Sequence, residues 1–318
     1  MSWQIRPLNP TQAEYEETVA LRNSVDSESP SSVTIWQHWD ATRPAESKFE
    51  RLVLADENGR IVAYAQLDET RPLSQKFEFN FNGLPIIWQN GMAEALLNTI
   101  LQKIAQYQPQ AVTIQLRESE ETKWQLLQTH GFQPVMRYPI SHLALPQFDA
   151  APFAEKLAYT AQQGIEITQP PEGWHEQTYW QQLIHELDWQ LMQDVPHHEE
   201  RTKTPFAQFV QEEFNHPNFL PSGYFIAFDG EMPVGMTNFV KRGGEIERLA
   251  TAVTGVLRSH RRKGIATALK VKSILHAQEL GSKIIITNNE ENNPMYLINV
   301  QLGFAAQPAW VDWEKSLQ

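Results

Sequence analysis

The stretch RRKGIATALK (residues 261–270) governs how this chain is read. Upstream of it, LATAVTGV (249–256) is rich in β-branched and small residues and reads as a buried strand. Downstream, Ile265, Ala268, Leu269, Val271 and Leu275 recur at helical spacing, and Gly281 stands where a left-handed cap would end the helix. A second β-rich run, KIIIT (283–287), follows. The order is strand, loop, helix, strand, with Gly264 at the start of the helix.

That position has a physical use. The first amides of a helix lack internal partners and carry the positive end of its dipole. Gly264 has no Cβ to keep a ligand off the backbone, and Ala266 keeps the next turn open. Arg261, Arg262 and Lys263 add full positive charge, so the loop has the makings of a pyrophosphate seat. The same residues also fit a plain turn with three solvated cations. Neither the dinucleotide pattern G-x-G-x-x-G nor the NTPase pattern G-x-x-x-x-G-K-[ST] is present.

Arg261-Arg262-Lys263-Gly264-Ile265-Ala266 resembles motif A of the GCN5-related N-acetyltransferase (GNAT) superfamily, [RQ]-x-x-G-x-[GA], with Val256 five residues before it as in that family. NNPMYLINVQLGF (292–304) is similar to the family's final helix and its L-G-F ending. The resemblance spans about residues 164–318. It implies an α/β fold with a mixed sheet and acetyl-CoA as co-substrate. The implied binding positions are Thr254, Gly255, Val256, Arg261, Arg262, Lys263, Gly264, Ile265, Ala266, Thr267 and, for the pantetheine arm, Asn292. At Thr254 and Val256 the implied contacts are main-chain ones, from a strand that splays from its neighbour. By residue chemistry alone, Asn292 and Asn293 also suit helix capping ahead of Pro294.

The N-terminal half repeats the plan. ERLVLADENGRIVAYAQLD (50–68) and YFIAFDGEMPVGMTNFV (224–240) both read as hairpins, turning at Asn58-Gly59 and Asp229-Gly230. Gly59 to Gly91 is 32 residues and Gly230 to Gly264 is 34. Gly91 to Gly131-Phe132 is 40 residues, and Gly264 to Gly303-Phe304 is 39. GMAEALLNTI (91–100) parallels GIATALKVKS (264–273), but Trp88-Gln89-Asn90 replaces the three cations. We therefore expect two tandem GNAT-like acyl-CoA N-acyltransferase domains, a degenerate one over 1–150 and an acetyl-CoA-binding one over 151–318. LALPQFDAAPF (143–153) reads as the linker, and EKLAYTAQQG (155–164) as a short helix ending on Gly164.

A length of 318 residues suits two domains. The chain has no cysteine, which excludes disulfides, thiolate nucleophiles and Cys-based metal sites and fits a cytoplasmic protein. The first residues are polar with no apolar signal core, and no run is long enough to span a bilayer. The net charge of −12 argues against nucleic acid as partner and suits approach of a cationic amine. Small-molecule and peptide amines both fit, and the chain is expected to be a monomer or homodimer.

Acyl transfer to an amine requires the amine deprotonated, the oxyanion stabilised and the leaving thiolate protonated. The family often uses a glutamate on the motif A strand, or ordered water, as base, and Glu245 and Glu247 precede that strand, with Glu247 taken as the candidate. Its acid is often a tyrosine five residues before the L-G-F phenylalanine, where this chain has Asn299, with Tyr296 one turn earlier as a substitute. The region 188–205 caps the acceptor pocket in the family, which points to Asp194 and His197 as substrate-binding residues. His197-His198-Glu199-Glu200 lacks the H-E-x-x-H spacing of a metal site, and no metal is expected. The leading expectation is an acetyl-CoA-dependent N-acetyltransferase. The alternative is a non-catalytic acyl-CoA-binding sensor or scaffold of the same fold.

Overall fold

A computed structural model of the chain describes residues 2–70, 74–195, 202–289 and 293–317. Its elements in chain order begin with β1 (Trp3–Pro7), α1 (Gln12–Val25), α2 (Val33–Thr42), β2 (Phe49–Asp56), β3 (Ile61–Glu69) and β4 (Lys76–Gly83). Next come α3 (Met92–Ala105), β5 (Ala111–Arg117), α4 (Glu121–Thr129), β6 (Gln133–Ala144), α5 (Ala154–Gln162) and β7 (Ile165–Thr168). The chain continues through α6 (Thr178–Met192), α7 (Phe206–Phe209), β8 (Tyr224–Asp229), β9 (Met232–Arg242) and β10 (Glu245–Val256). It closes with α8 (Ile265–Glu279), β11 (Ile284–Asn288), α9 (Met295–Gln301) and β12 (Ala305–Ser316).

Two compact units form, one of Met1–Arg137 with Pro308–Gln318 and one of Tyr138–Gln307. They are divided differently from the sequence copies 1–150 and 151–318. The first unit orders its strands β1-β2-β3-β4-β5-β12, and the second orders them β6-β11-β10-β9-β8-β7. Each copy's final strand thus serves the other unit. Trp310–Ser316 of β12 pairs antiparallel with β5, and Ile140–Ala144 of β6 pairs antiparallel with β11.

Local chemistry explains the elements. Thr11 and Ser32 cap α1 and α2, each accepting from the amide three residues on. Asp56 accepts from the amides of Asn58 and Arg60, which shapes the turn between β2 and β3. In the first unit Leu52, Leu54, Phe79 and Phe81 of the sheet pack on Leu96, Leu97 and Ile100 of α3. In the second unit Leu249 and Ile285 pack on Val271, Ile274 and Ala277 of α8. Within α8, Leu275 is exposed and Ile274 takes the inner place.

The stretch expected to be a linker is instead part of a core. Leu145 and Phe153 are buried, Phe148 packs beside them, and Gln278 donates to the carbonyls of Leu145 and Phe148. Two prolines interrupt regular structure here, but the large apolar side chains between them still have a face to cover.

Candidate functional site

The site of the second unit is built where two parallel strands part. β10 pairs with β11 only over Arg248–Ala250, against Ile284–Ile286. β10 runs on to Val256 with β9 alone, through an irregularity between Thr251 and Val253. On the β9 side, the Val253 amide donates to the Asn238 side chain and the Leu257 amide to the Val234 carbonyl. Strand alternation therefore turns the amides of Thr254 and Val256 toward the parted side. Such a parting leaves main-chain donors for an extended ligand.

The loop follows. Arg262 has φ +67 and Gly264 φ +78, a left-handed pair that turns the chain into α8. Glycine is needed at 264 on two counts. The conformation disfavours a side chain, and a Cβ would lie 2.7 Å from Thr160 Oγ1. Thr160 itself donates to the Lys263 carbonyl at 3.1 Å, so α5 steadies the loop from beneath. Ala268 makes the first helical bond, to the Gly264 carbonyl, which leaves the amides of Ile265, Ala266 and Thr267 unpaired within the helix. Upstream, His260 Nε2 lies 3.0 Å from Asp229 Oδ2 and anchors the entry to the loop.

The loop's charges already have neighbours. Arg261 donates from Nε to the Val256 carbonyl at 3.1 Å and from its terminal nitrogen to Asp194. Arg258 also pairs with Asp194. The Arg258 hydrogen bond, aided by the charge of Arg261, holds the Asp194 carboxyl below its usual range. Asp194, expected to meet the acceptor, is thus engaged by the cations of the loop. His197 and Asn292 lie outside the described residues.

A cavity of about 260 Å³ opens at the parting. Its wall includes Leu191 of α6, Thr251 and Thr254 of β10, Thr287 and Asn288 of β11, and Lys270 of α8. No carboxylate lines it among the described residues. Gly255 and Val256 continue the strand toward the loop, and Leu191 lies 3.0 Å from where a Cβ on Gly255 would sit.

Three expected catalytic residues stand apart from this wall. Glu247 is exposed at the start of β10, where its carbonyl accepts from the Lys283 amide. Tyr296 is half-buried on α9. Asn299 is fully buried and donates to Asn289 Oδ1 at 2.6 Å, and Asn289, a residue of the wall, links it to the cavity.

Sequence reasoning missed Lys270. It is 3 % exposed, and its Nζ lies 5.5 Å from the Phe304 ring. Burial pulls its pKa down to about 7. The signal was available in the quoted stretch, as a lysine in the helical stripe that continues through Ile274 and Ala277. A displaced acid was also missed. Glu213 is pushed up to about 7 by burial and by Asp188 and Glu212, but it is not part of the cavity wall.

A parted parallel pair, a left-handed glycine and a cationic helix start together define the class of fold. The comparisons agree. Residues 170–304 match the model of the acetyltransferase (GNAT) family. A tandem GNAT protein from the clavulanic acid biosynthesis pathway, solved without AcCoA, superposes with a TM-score of 0.75 at 17 % identity, covering 99 % of this chain and 98 % of that one. A GCN5-related N-acetyltransferase from Sphaerobacter thermophilus gives 0.71 at 16 %, covering 99 % and 96 %. A GCN5-related glucosamine N-acetyltransferase region of a fungal multi-domain GH3 β-N-acetylglucosaminidase gives 0.72 at 9 %, covering 99 % of this chain and 38 % of that one. A sequence search among curated proteins finds no significant match. The chain thus has the fold of a tandem GNAT protein, with the match to the acetyltransferase (GNAT) family model confined to residues 170–304. That family and fold carry acyl-transfer chemistry in general.

Proposed function

We propose that the chain is an acetyl-CoA-dependent N-acetyltransferase that moves the acetyl group to the amine of a small-molecule or peptide acceptor. The observation that carries this reading is the continuity of three features: unpaired amides at the start of α8, the amides of Thr254 and Val256 on the parted strand, and the cavity at Thr251–Thr254. They follow one another in the order of pyrophosphate, pantetheine arm and thioester. The residues present suit this ligand, because a dipole-bearing helix start with Arg261, Arg262 and Lys263 favours a diphosphate.

When bound, acetyl-CoA supplies a thioester carbonyl open to attack by an amine. The chain's own part is to fix the diphosphate on the loop, align the arm by main-chain bonds and hold the carbonyl in a cavity away from bulk water. The net charge of −12 favours arrival of a cationic acceptor and disfavours nucleic acid. No helix among the described residues is long and apolar enough to cross a membrane. We infer a monomer or homodimer in the cytoplasm, with no metal requirement.

Calorimetric titration of acetyl-CoA tests this reading. The wild type should bind in the micromolar range, and Gly264→Asp, which adds bulk and negative charge at the seat, should weaken binding at least about 100-fold. Absence of binding to the wild type would refute it. One observation favours a non-catalytic acyl-CoA sensor instead, since Asn299 stands where the family's tyrosine acid is expected and is bonded to Asn289. Release of free thiol over an amine panel decides between them, because a sensor binds acetyl-CoA without releasing it.

A further inference from the structure

Lys270 is the one cationic side chain in the cavity wall among the described residues. It is nearly inaccessible, and the Phe304 ring 5.5 Å away is the sole partner of its Nζ among the described residues. A lysine buried with no carboxylate beside it among the described residues is costly in its charged form, so the site favours the neutral amine. In a structural role this position asks for an apolar side chain. The first copy has one there, because Leu97 stands six residues after Gly91 as Lys270 stands six after Gly264, and Leu97 is fully buried.

The charged surroundings do not explain the lysine either. Packed against α8 are β8 with Asp229, β9 with Lys241 and Arg242, β10 with Glu245, Glu247 and Arg248, α5 with Glu155 and Lys156, and β7 with Glu166. Asp229 is held by His260, and Tyr138 is the other titratable side chain in the cavity wall. On α8 itself the other titratable groups are Lys272, which donates to the Ile167 carbonyl, and the His276–Glu279 pair. None contributes to the displacement of Lys270, for which burial is the cause.

We propose that Lys270 is the proton carrier of acyl transfer, taking the proton from the attacking amine and giving it to the sulfur of the departing thiolate. The proposal rests on the acyl-CoA reading of the cleft and adds a residue to it. As the C–N bond forms, neutral Nζ accepts the proton that the substrate nitrogen must lose. As the C–S bond breaks, the same proton passes from Nζ to sulfur. Lys270 ends neutral, as it began, and the products are an amide and a free thiol. The earlier proton that turns a substrate ammonium into a nucleophilic amine leaves to solvent. This assignment fills the role left open by Asn299 and removes the need for Glu247, which lies outside the cavity wall.

The test uses CoA itself, so no acceptor need be known. Acetyl-CoA and CoA are first titrated by calorimetry into the full chain and into Lys270→Met, whose affinities should agree within about threefold. The thiol of bound CoA is then titrated by its thiolate ultraviolet absorbance in both proteins. With Lys270 at the sulfur, the thiolate should appear about one pH unit or more lower in the wild type than in Lys270→Met. Lys270→Arg, which keeps a cation, should retain that shift. A merely structural lysine would alter melting temperature or affinity and leave the thiol titration unmoved. Equal thiol titration in wild type and Lys270→Met overturns the proposal. Failure of either ligand to bind the wild type overturns the acyl-CoA reading and the proposal with it.

Discussion

Gly91 and Gly264 open the corresponding helices of the two copies in the same left-handed conformation, with φ +71 and +78. In both units the parallel pair beside that helix is registered over three residues, Lys76–Glu78 on Ala111–Thr113 and Arg248–Ala250 on Ile284–Ile286. The frame is shared, and the contents differ. Beyond the parting the first copy has Phe79 and Phe81, packed on Phe132 at 5.8 Å and Trp88 at 6.0 Å. The second has Thr251 and Thr254 at a cavity. A Cβ on Gly91 would meet nothing within 4 Å, whereas one on Gly264 would strike Thr160. The left-handed turn therefore belongs to the fold. The cations, the hydroxyls and Lys270 are what the proposed acyl-CoA site adds to it.

Exchanging residues between the copies attacks this comparison directly. The largest effect is expected from Leu97→Lys, which puts an amine into the apolar core of the first unit and should cost about 5 kcal/mol in chemical denaturation. If this variant is as stable as the wild type, the two cores do not differ as described.

The reverse change, Lys270→Met, should stabilise the protein, and its effect should depend on pH. Burial lowers the folded-state pKa from 10.5 to about 7, so between these values the unfolded chain holds the proton that the folded one has lost. The penalty is fully present below pH 7, fades as pH rises and is gone above the unfolded value. Melting curves should show a gain on the order of 4 kcal/mol at pH 7 that shrinks toward pH 10. A gain that is flat with pH would mean that Lys270 is not displaced.

Replacing Arg261, Arg262 and Lys263 by the Trp, Gln and Asn of the first copy should lower acetyl-CoA affinity about 100-fold without altering stability, as read by calorimetry and melting. Undiminished affinity would leave the amides as the whole seat. The smallest effect belongs to Asp194→Asn. Removing this carboxylate frees Arg258 and Arg261 and takes a negative charge from beside the loop. Affinity should then rise about two- to fivefold at low salt and less at high salt. A fall would assign Asp194 a role in orienting the cations.

Much of this was legible in the chain. RRKGIATALK placed the loop and the helix start, and the spacings of Gly59, Gly91 and Gly131 against Gly230, Gly264 and Gly303 exposed the two copies. Turn glycines and helical periodicity are local signals, so they survive without tertiary context. The exchange of β6 and β12 was not legible, because strand pairing between distant segments leaves no mark in local pattern. Leu145 and Phe153 were hidden by the prolines beside them. Lys270 was visible as a letter, but its burial depends on what α8 packs against. Asp194 lies 64 residues from Arg258, and only the folded chain brings them together.

The central claim is that one copy holds the acyl carrier and the other keeps only its frame. Calorimetry of acetyl-CoA against the intact chain tests this most directly through its stoichiometry. The account predicts one site per chain, abolished by Gly264→Asp. Two sites, or a single site that survives in Gly264→Asp, would contradict it and return the first copy to function.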